Sequence, residues 1–149
     1  MSVRVRDLRA EDEADWRHLW RAYLRFYGTE LPEATYADTF RRLLSDDPWQ
    51  PFGMVAEMDE QTVGLAHGLF HSHCWRAERS LYLQDLYADP QARGRGVGRA
   101  LIEAIYRRAD REGSVHVYWI TGERNRTARQ PHDRLAREQG VVMYERERP

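Results

Sequence analysis

The stretch LYLQDLYADPQARGRGVGRALI, residues 81–102, decides the fold. A strand-like run over 79–87 meets Asp89-Pro90 and stops there. The residue before a proline avoids helical geometry, and proline has no N–H for a ladder. Glycines follow at 94, 96 and 98, and an apolar stripe of Val97, Leu101, Ile102 and Ile105 begins at helical spacing. Alternating glycines let successive amides turn toward one point, because no Cβ blocks the dihedrals or the approach of a ligand. The helix start adds about four unpaired N–H groups and a partial positive charge. Arg93, Arg95 and Arg99 place further positive charge around it. A strand, a glycine loop and a helix start in this order make a pyrophosphate cradle.

Working outward, residues 3–6 read as a short strand and 12–27 as a first helix. Trp16, Leu19, Trp20, Tyr23, Leu24 and Tyr27 share one face of that helix. A second helix is expected from Thr35, where Thr35 and Asp38 have capping-box spacing with Asp in place of Glu. It carries Tyr36, Phe40, Leu43 and Leu44 inward and ends before Pro48. Strands are expected at 53–58 and 62–73 around the turn Asp59-Glu60-Gln61. The glycine loop opens a helix through Ala109 that Gly113 closes. Residues 115–121 read as a buried strand, 126–139 as a last helix closed by Gly140, and 141–145 as a final strand. The order β-α-α-β-β-β-α-β-α-β implies a mixed α/β sheet covered by helices, with residues 1–149 as a single domain.

The 149 residues suffice for a core without disulfide or metal staples. A net charge of -1 and no basic surface run disfavour a nucleic-acid module and give no pull toward a membrane. All 23 basic residues are arginine. Without lysine, a Walker phosphate loop, a Schiff-base enzyme and a lysine general base are excluded. Cys74 is the single cysteine, so neither an intramolecular disulfide nor a cysteine metal cluster is expected. The start Met1-Ser2-Val3-Arg4 lacks a signal-peptide run, and no apolar stretch reaches membrane-spanning length. A soluble cytoplasmic protein is the expectation.

The dinucleotide fingerprint G-x-G-x-x-G fails, because position 99 is arginine and no nucleotide-binding βαβ unit follows. What fits is Q-x-x-G-x-G, as Gln91, Gly94 and Gly96, at the end of a strand. That pattern resembles the coenzyme A loop of the GNAT N-acetyltransferase family. The resemblance extends over 62–144, through Val63-Gly-Leu-Ala-His67, Leu83-Gln-Asp-Leu-Tyr87, the loop, and Val117-Tyr-Trp-Ile-Thr121 with Asn125 and Ala128 following. It looks like the small members that acetylate amines such as polyamines, amino acids or protein tails.

The resemblance implies the GNAT fold, a mostly antiparallel sheet whose strand before the loop splays from the next. It implies acetyl-CoA as cofactor, with its pantetheine arm lying in the gap against backbone groups of Leu86 and Ala88, beside Tyr87. The amides of Arg93, Gly94, Arg95, Gly96, Val97, Gly98 and Arg99 would hold the pyrophosphate. Asn125 would hydrogen-bond the cofactor, or simply cap the last helix. The implied reaction is attack of a neutral amine on the thioester carbonyl, which needs proton removal, oxyanion stabilisation and a protonated leaving thiolate. The N–H near Leu86 is the oxyanion candidate. Asp85 is the candidate for the amine proton, directly or through water, its alternative being an exposed strand carboxylate.

Relatives place a tyrosine acid after the asparagine, in a pattern like A-x-x-L-Y-D. Here the run is Ala128-Arg-Gln-Pro-His-Asp133, so His132 stands in its place. Histidine is the better-placed acid near neutral pH, but Pro131 predicts a kink or a delayed helix start. The acceptor is expected between the first two helices and the central strands, where Tyr27, Glu30, Glu33 and Asp38 can attract a cation. Tyr82 and Tyr87 line that site or pack in the core. His67, His71 and His73 share one strand parity. An extended strand spreads the outer two by roughly 20 Å, so exposed or substrate-lining histidines are expected and no metal site is. Trp75 and Trp119 are expected as core, rim or dimer contacts, and the tail from Tyr144 to Arg148 as a solvated edge strand. The leading expectation is an N-acetyltransferase acting on a primary amine of a small molecule or peptide, with homodimerisation plausible by resemblance. The alternative is a non-catalytic acyl-CoA-binding regulatory domain that kept the cradle and lost the acid.

Overall fold

The structure, a computed structural model, describes residues 2–122 and 133–147. Among them, five strands form one sheet in chain order: β1 (Arg4–Asp7), β2 (Phe52–Met58), β3 (Gln61–His73), β4 (Arg76–Ala88) and β5 (His116–Tyr118). The first four pair antiparallel and β5 joins β4 in parallel. Helices α1 (Glu13–Phe26) and α2 (Glu33–Leu43) pack on one face of the sheet, and α3 (Val97–Arg111) packs on the other. The mixed, mostly antiparallel sheet flanked by helices agrees with the sequence reading.

Local chemistry explains most boundaries. Trp16, Leu19, Trp20 and Leu24 form the buried stripe of α1, at the three-and-four spacing that holds an amphipathic helix on a sheet. Tyr27, expected inward, lies one residue past the helix and is exposed. Helix α2 starts at Glu33 rather than Thr35. Pro32 supplies the N-cap with φ -65° and ψ 154°, and its carbonyl accepts from Thr35 and Tyr36 N–H. Proline pre-sets the entry dihedral, so no capping side chain is needed. Asp38 turns instead to Arg41 and Arg42, at 2.7 and 2.9 Å. Leu44, expected inward, caps the helix C-terminus and is exposed. Between β2 and β3, Asp59 and Glu60 both take positive φ, 54° and 66°, the conformation of a two-residue hairpin turn matched to strand twist.

Pairing of β3 with β4 contains one irregularity that shapes everything beyond it. Gly64 to His67 pair with Ala88 to Asp85, and then Gly68 pairs with Leu83, so Gln84 is an extra residue on β4. Side chains alternate along a strand, and a bulge shifts that alternation by one. Before it, Leu81 and Leu83 enter the core under α3; after it, Leu86 and Ala88 do. Asp85 and Tyr87 are thereby turned to the face covered by α1.

The carboxy-terminal third differs from expectation. Instead of a buried strand over 115–121, β5 has three half-buried residues, and Val115 and Ile120 are 65 and 55 % exposed. Half of the expected last helix, 126–132, lies outside the described residues; of the rest, 133–135 is helical and 136–139 is not, and the Leu135 carbonyl accepts from Tyr106 Oη at 2.8 Å. Residues 141–145 are not a strand. A strand is stabilised by ladder partners, none of the described strands pairs with this segment, and Val141 through Tyr144 are exposed.

Two contacts tie the layers together. Gly64 brings the β3 backbone under α3: a Cβ there would lie 2.7 Å from Val97 Cγ1 and 2.9 Å from the Tyr87 carbonyl oxygen. Gly64→Ala should therefore cost about 1–3 kcal/mol, read by urea unfolding. Arg6 clamps β1 to the start of α1, with a bidentate pair to Asp12 at 2.8 Å on both oxygens and a further ion pair to Glu57. That guanidinium holds the Asp12 carboxyl below the usual carboxylate range. Because the folded-state value is depressed, the contribution is complete above the ordinary carboxylate pKa and is lost as pH falls through the lowered one. Asp12→Asn should flatten the acid side of the stability-against-pH curve, measured by urea unfolding from pH ~6 to ~2.

Candidate active site

The splay required of the fold is visible in the pairing. Strand β5 pairs with β4 at Ser80, Leu81 and Tyr82, while β4 runs on to Ala88 against β3 alone among the described strands. Asp89 N–H donates to the Val63 carbonyl at 2.7 Å. Backbone groups alternate sides along a strand, so Tyr87 and Asp85 also turn theirs to β3. Leu86 and Ala88 present N–H and C=O to the side that β5 leaves uncovered. These are the two residues expected from sequence to meet the pantetheine arm.

The cradle follows at once. A turn at Pro90–Ala92 is pinned by the Asp89 side chain, which accepts from Gln91 N–H at 2.9 Å. Gly94 and Gly96 adopt φ 78° and 81°, a region that L side chains rarely enter. Gly96 is the N-cap of α3, and no side chain caps the helix start. Cβ atoms built at positions 94, 96 and 98 would meet nothing within 4 Å, so the loop's outer face is open to a ligand. Val97 is buried and anchors the helix to the sheet. Arg99 pairs with Glu103 at 2.8 Å, and Arg95 reaches toward Met58 Sδ at 3.6 Å. Arg93 lies exposed on the same loop. Open amides at a positive helix end fit a pyrophosphate.

On the α1 face, Asp85 is not the exposed carboxylate that was its alternative. Its side chain is 14 % exposed. Oδ2 accepts from Trp20 Nε1 at 3.2 Å and lies 2.8 Å from His67 Nδ1. The Tyr23 phenol, from the same helix as Trp20, faces this carboxylate. Burial pushes the Asp85 carboxyl up, but the bond from His67, aided by Tyr23 and Trp20, outweighs it and leaves it below the usual value. A carboxylate offers about four lone-pair sites, so the indole and imidazole, both meeting Oδ2, do not exhaust it. Burial and the adjacent Asp85 charge push the Tyr23 phenol well up, so it stays a donor.

The remaining candidates separate into two groups. Tyr82 stacks on Tyr118 at 4.8 Å where the β4–β5 pairing ends, and the Tyr118 hydroxyl lies 2.7 Å from His71 Nε2. Tyr87 and Tyr27 both flank Tyr23, at 6.2 and 5.0 Å between rings. Tyr23 and Tyr87 pack against the α1–α2 cluster. Glu33 does not join them as a free anion, being held by Arg17 and by Arg21, the latter at 2.9 Å; Asp38 is likewise neutralised. Glu30 lies exposed near Arg21 and Arg25 on the rim of α1 and α2. His67, expected exposed or lining the substrate site, is buried. Trp75 is 89 % exposed at the β3–β4 turn, whereas Trp119 packs on Tyr106. Asn125 and His132 lie outside the described residues. The described residues contain no group of three or more His, Cys, Asp or Glu side chains that could hold a metal ion, and none of their helices is long and apolar enough to cross a membrane.

Residues missed from sequence as parts of a polar site are Trp16, Trp20 and Tyr23, which read as one apolar helix face. His67 was expected as exposed or substrate-lining, and nothing local signals that its ring is buried against Trp16 and Trp20.

Comparison with known proteins agrees with this geometry. Residues 14–136 match the Acetyltransferase (GNAT) family. The D-amino-acid N-acetyltransferase HPA3 of Saccharomyces cerevisiae is 36 % identical over 145 residues, covering 95 % of this chain and 89 % of the relative. Among solved structures, AAC(6')-Iy in complex with the bisubstrate analogue CoA-S-monomethyl-acetylneamine aligns at TM-score 0.82 with 21 % identity, over the whole of both chains. The ribosomal-protein-alanine N-acetyltransferase of Brucella melitensis biovar Abortus 2308 aligns at 0.78 with 18 % identity, over 98 % of this chain and 99 % of that one. At such identities the two structures speak for the fold.

The cradle gives a direct test. Gly96→Glu puts a β-carbon at φ 81° and a carboxylate beside the open amides. It should abolish coenzyme A binding by titration calorimetry, while circular dichroism stays that of the wild type.

Proposed function

The chain belongs to the Acetyltransferase (GNAT) family, and from that premise we propose an acetyl-CoA-dependent N-acetyltransferase whose acceptor amine is held at Asp85. The observation that carries the acceptor assignment is a largely buried carboxylate on the α1 face, met at Oδ2 by Trp20 and His67 and directly beside Leu86. The acceptor named for the yeast relative, a D-amino acid, supports the α-amine of a small amino acid or similar molecule over a bulky partner.

Bound acetyl-CoA supplies an acetyl group activated as a thioester. In this reading the chain's own groups do the rest. Amides from Arg93 to Arg99 bind the pyrophosphate, with Gln91 at the loop's entry and Asn125 as a further contact. The backbone of Leu86 and Ala88 orients the arm as a neighbouring strand would. Leu86 N–H faces the uncovered side of β4, where it is placed to hydrogen-bond negative charge that develops on the acetyl oxygen. Asp85 draws the acceptor ammonium in and receives its proton. Because its pKa is lowered, the carboxylate is a fixed anion that passes the proton on to water rather than a base that keeps it. Tyr82, Tyr27 and Glu30 border the acceptor's approach. His132 is the proposed donor of the proton that the departing thiolate takes.

We also propose a cytoplasmic setting and a homodimer. The exposed thiol of Cys74 suits a reducing compartment, and the exposed apolar run Val141, Val142, Met143 and Tyr144 suits burial against a second copy.

A free-thiol release assay with acetyl-CoA against a panel of amines tests the reading. Asp85→Asn should lower kcat/KM by about 10²–10⁴-fold, and His132→Ala should lower kcat with little change in acetyl-CoA affinity. Tight acetyl-CoA binding without turnover on any amine would instead favour the regulatory domain, and failure to bind coenzyme A would exclude both.

A further inference from the structure

The hydrogen bonds around Asp85 run in one direction, and that direction fixes the state of His67. An indole N–H can only donate. Trp16 Nε1 lies 2.8 Å from His67 Nε2, so that ring nitrogen accepts and carries no proton. The ring's single proton then sits on Nδ1, 2.8 Å from Asp85 Oδ2. The tautomer is set by the partner on the far side of the ring, the usual way a histidine is oriented for another group. His67 is 4 % exposed and walled by Trp16 and Trp20, with ring centroids at 6.0 and 5.7 Å. Water therefore does not compete for either nitrogen.

We infer that His67 is a positioning residue for acetyl transfer: locked by Trp16 as the Nδ1–H tautomer, it holds Asp85 as an oriented anion facing the acceptor amine. The inference rests on the reading of Asp85 given above. Without a donor in this place, a buried carboxylate takes up a proton more readily, and a neutral Asp85 neither attracts an ammonium nor receives its proton. Trp20 also donates to Asp85, but it comes from α1. His67 comes from the adjacent strand, in register with Asp85, so its donor direction is set by the sheet itself. The charged and titratable neighbours that bear on this pair are few. Strand β4 brings Asp85 and Tyr82, α1 brings Tyr23, and α2 brings Tyr36, whose ring meets Trp16 and Trp20. Arg17 and Arg21 lie over the Tyr36 ring, and β2 places Gly53 opposite His67.

Two measurements decide the matter. In ¹⁵N-histidine-labelled wild type at pH 7, His67 should show a protonated Nδ1 and a bare Nε2; a proton on Nε2, or on both nitrogens, overturns the inference without any variant being needed. In the second, His67→Leu removes the donor and His67→Asn restores an N–H near the Nδ1 position. The titration midpoint of Asp85, followed by its ¹³C carboxyl shift, should rise by about one pH unit or more in the leucine variant. The acidic limb of kcat/KM should move with it, and the asparagine variant should return both most of the way. An Asp85 midpoint and a rate profile that both stay put while activity falls would reduce His67 to packing. A midpoint that moves while the profile does not would overturn the assignment of Asp85 to the reaction, and with it the catalytic part of this inference.

Discussion

One extra residue in β4 organises the site. Without the bulge at Gln84 the strand's alternation would continue from Leu81 and Leu83, and Asp85 would point into the apolar core under α3. Burying an unpaired carboxylate there would cost far more than the core gains. With the bulge, the carboxylate turns to the face that carries Trp20, Tyr23 and His67, and Leu86 takes its place in the core. The same shift aims the backbone of Leu86 and Ala88 away from β3, on the stretch where β5 no longer pairs. The Asp85 carboxylate, proposed for the acceptor, and the Leu86 amide, proposed for the cofactor, thus belong to consecutive residues facing different ways.

The sheet then works as a partition. Its α3 side is apolar and close-packed, with Gly64 letting the helix that carries the cradle rest directly on β3. Its α1 side is aromatic and lined with indole, imidazole and phenol groups. An aromatic wall buries as well as an aliphatic one while offering N–H and O–H donors at its edges. That is how a carboxylate finds donors where it is largely buried. Stability and polarity are met by the same residues.

What the sequence made legible follows from range. The cradle was readable because its demands are local: positive φ at Gly94 and Gly96 needs glycine, and the helix that follows announces itself by an apolar stripe. Most strand and helix boundaries were readable for the same reason. Thr35 misled because a proline at 32 had already set the helix entry, which a capping pattern does not register. The 115–121 and 141–145 strands misled because apolar, β-prone residues are only half of a strand; the other half is a partner edge. The His67–Asp85 pair was not readable. It joins residues 18 apart, and only the bulge register puts them face to face. Counting parity from Leu81 gives Asp85 the wrong side.

The ion pairs described above have a chemical consequence. Neutral His67 meets Asp85 through a hydrogen bond, and the ion pairs among the described residues are all made by arginine. A guanidinium stays protonated across the biological pH range and is a poor nucleophile, whereas a lysine amine is itself an acyl acceptor. A protein that works beside a reactive thioester thus keeps its electrostatic framework in a form the reagent does not consume. No side chain on it competes with the acceptor as an amine.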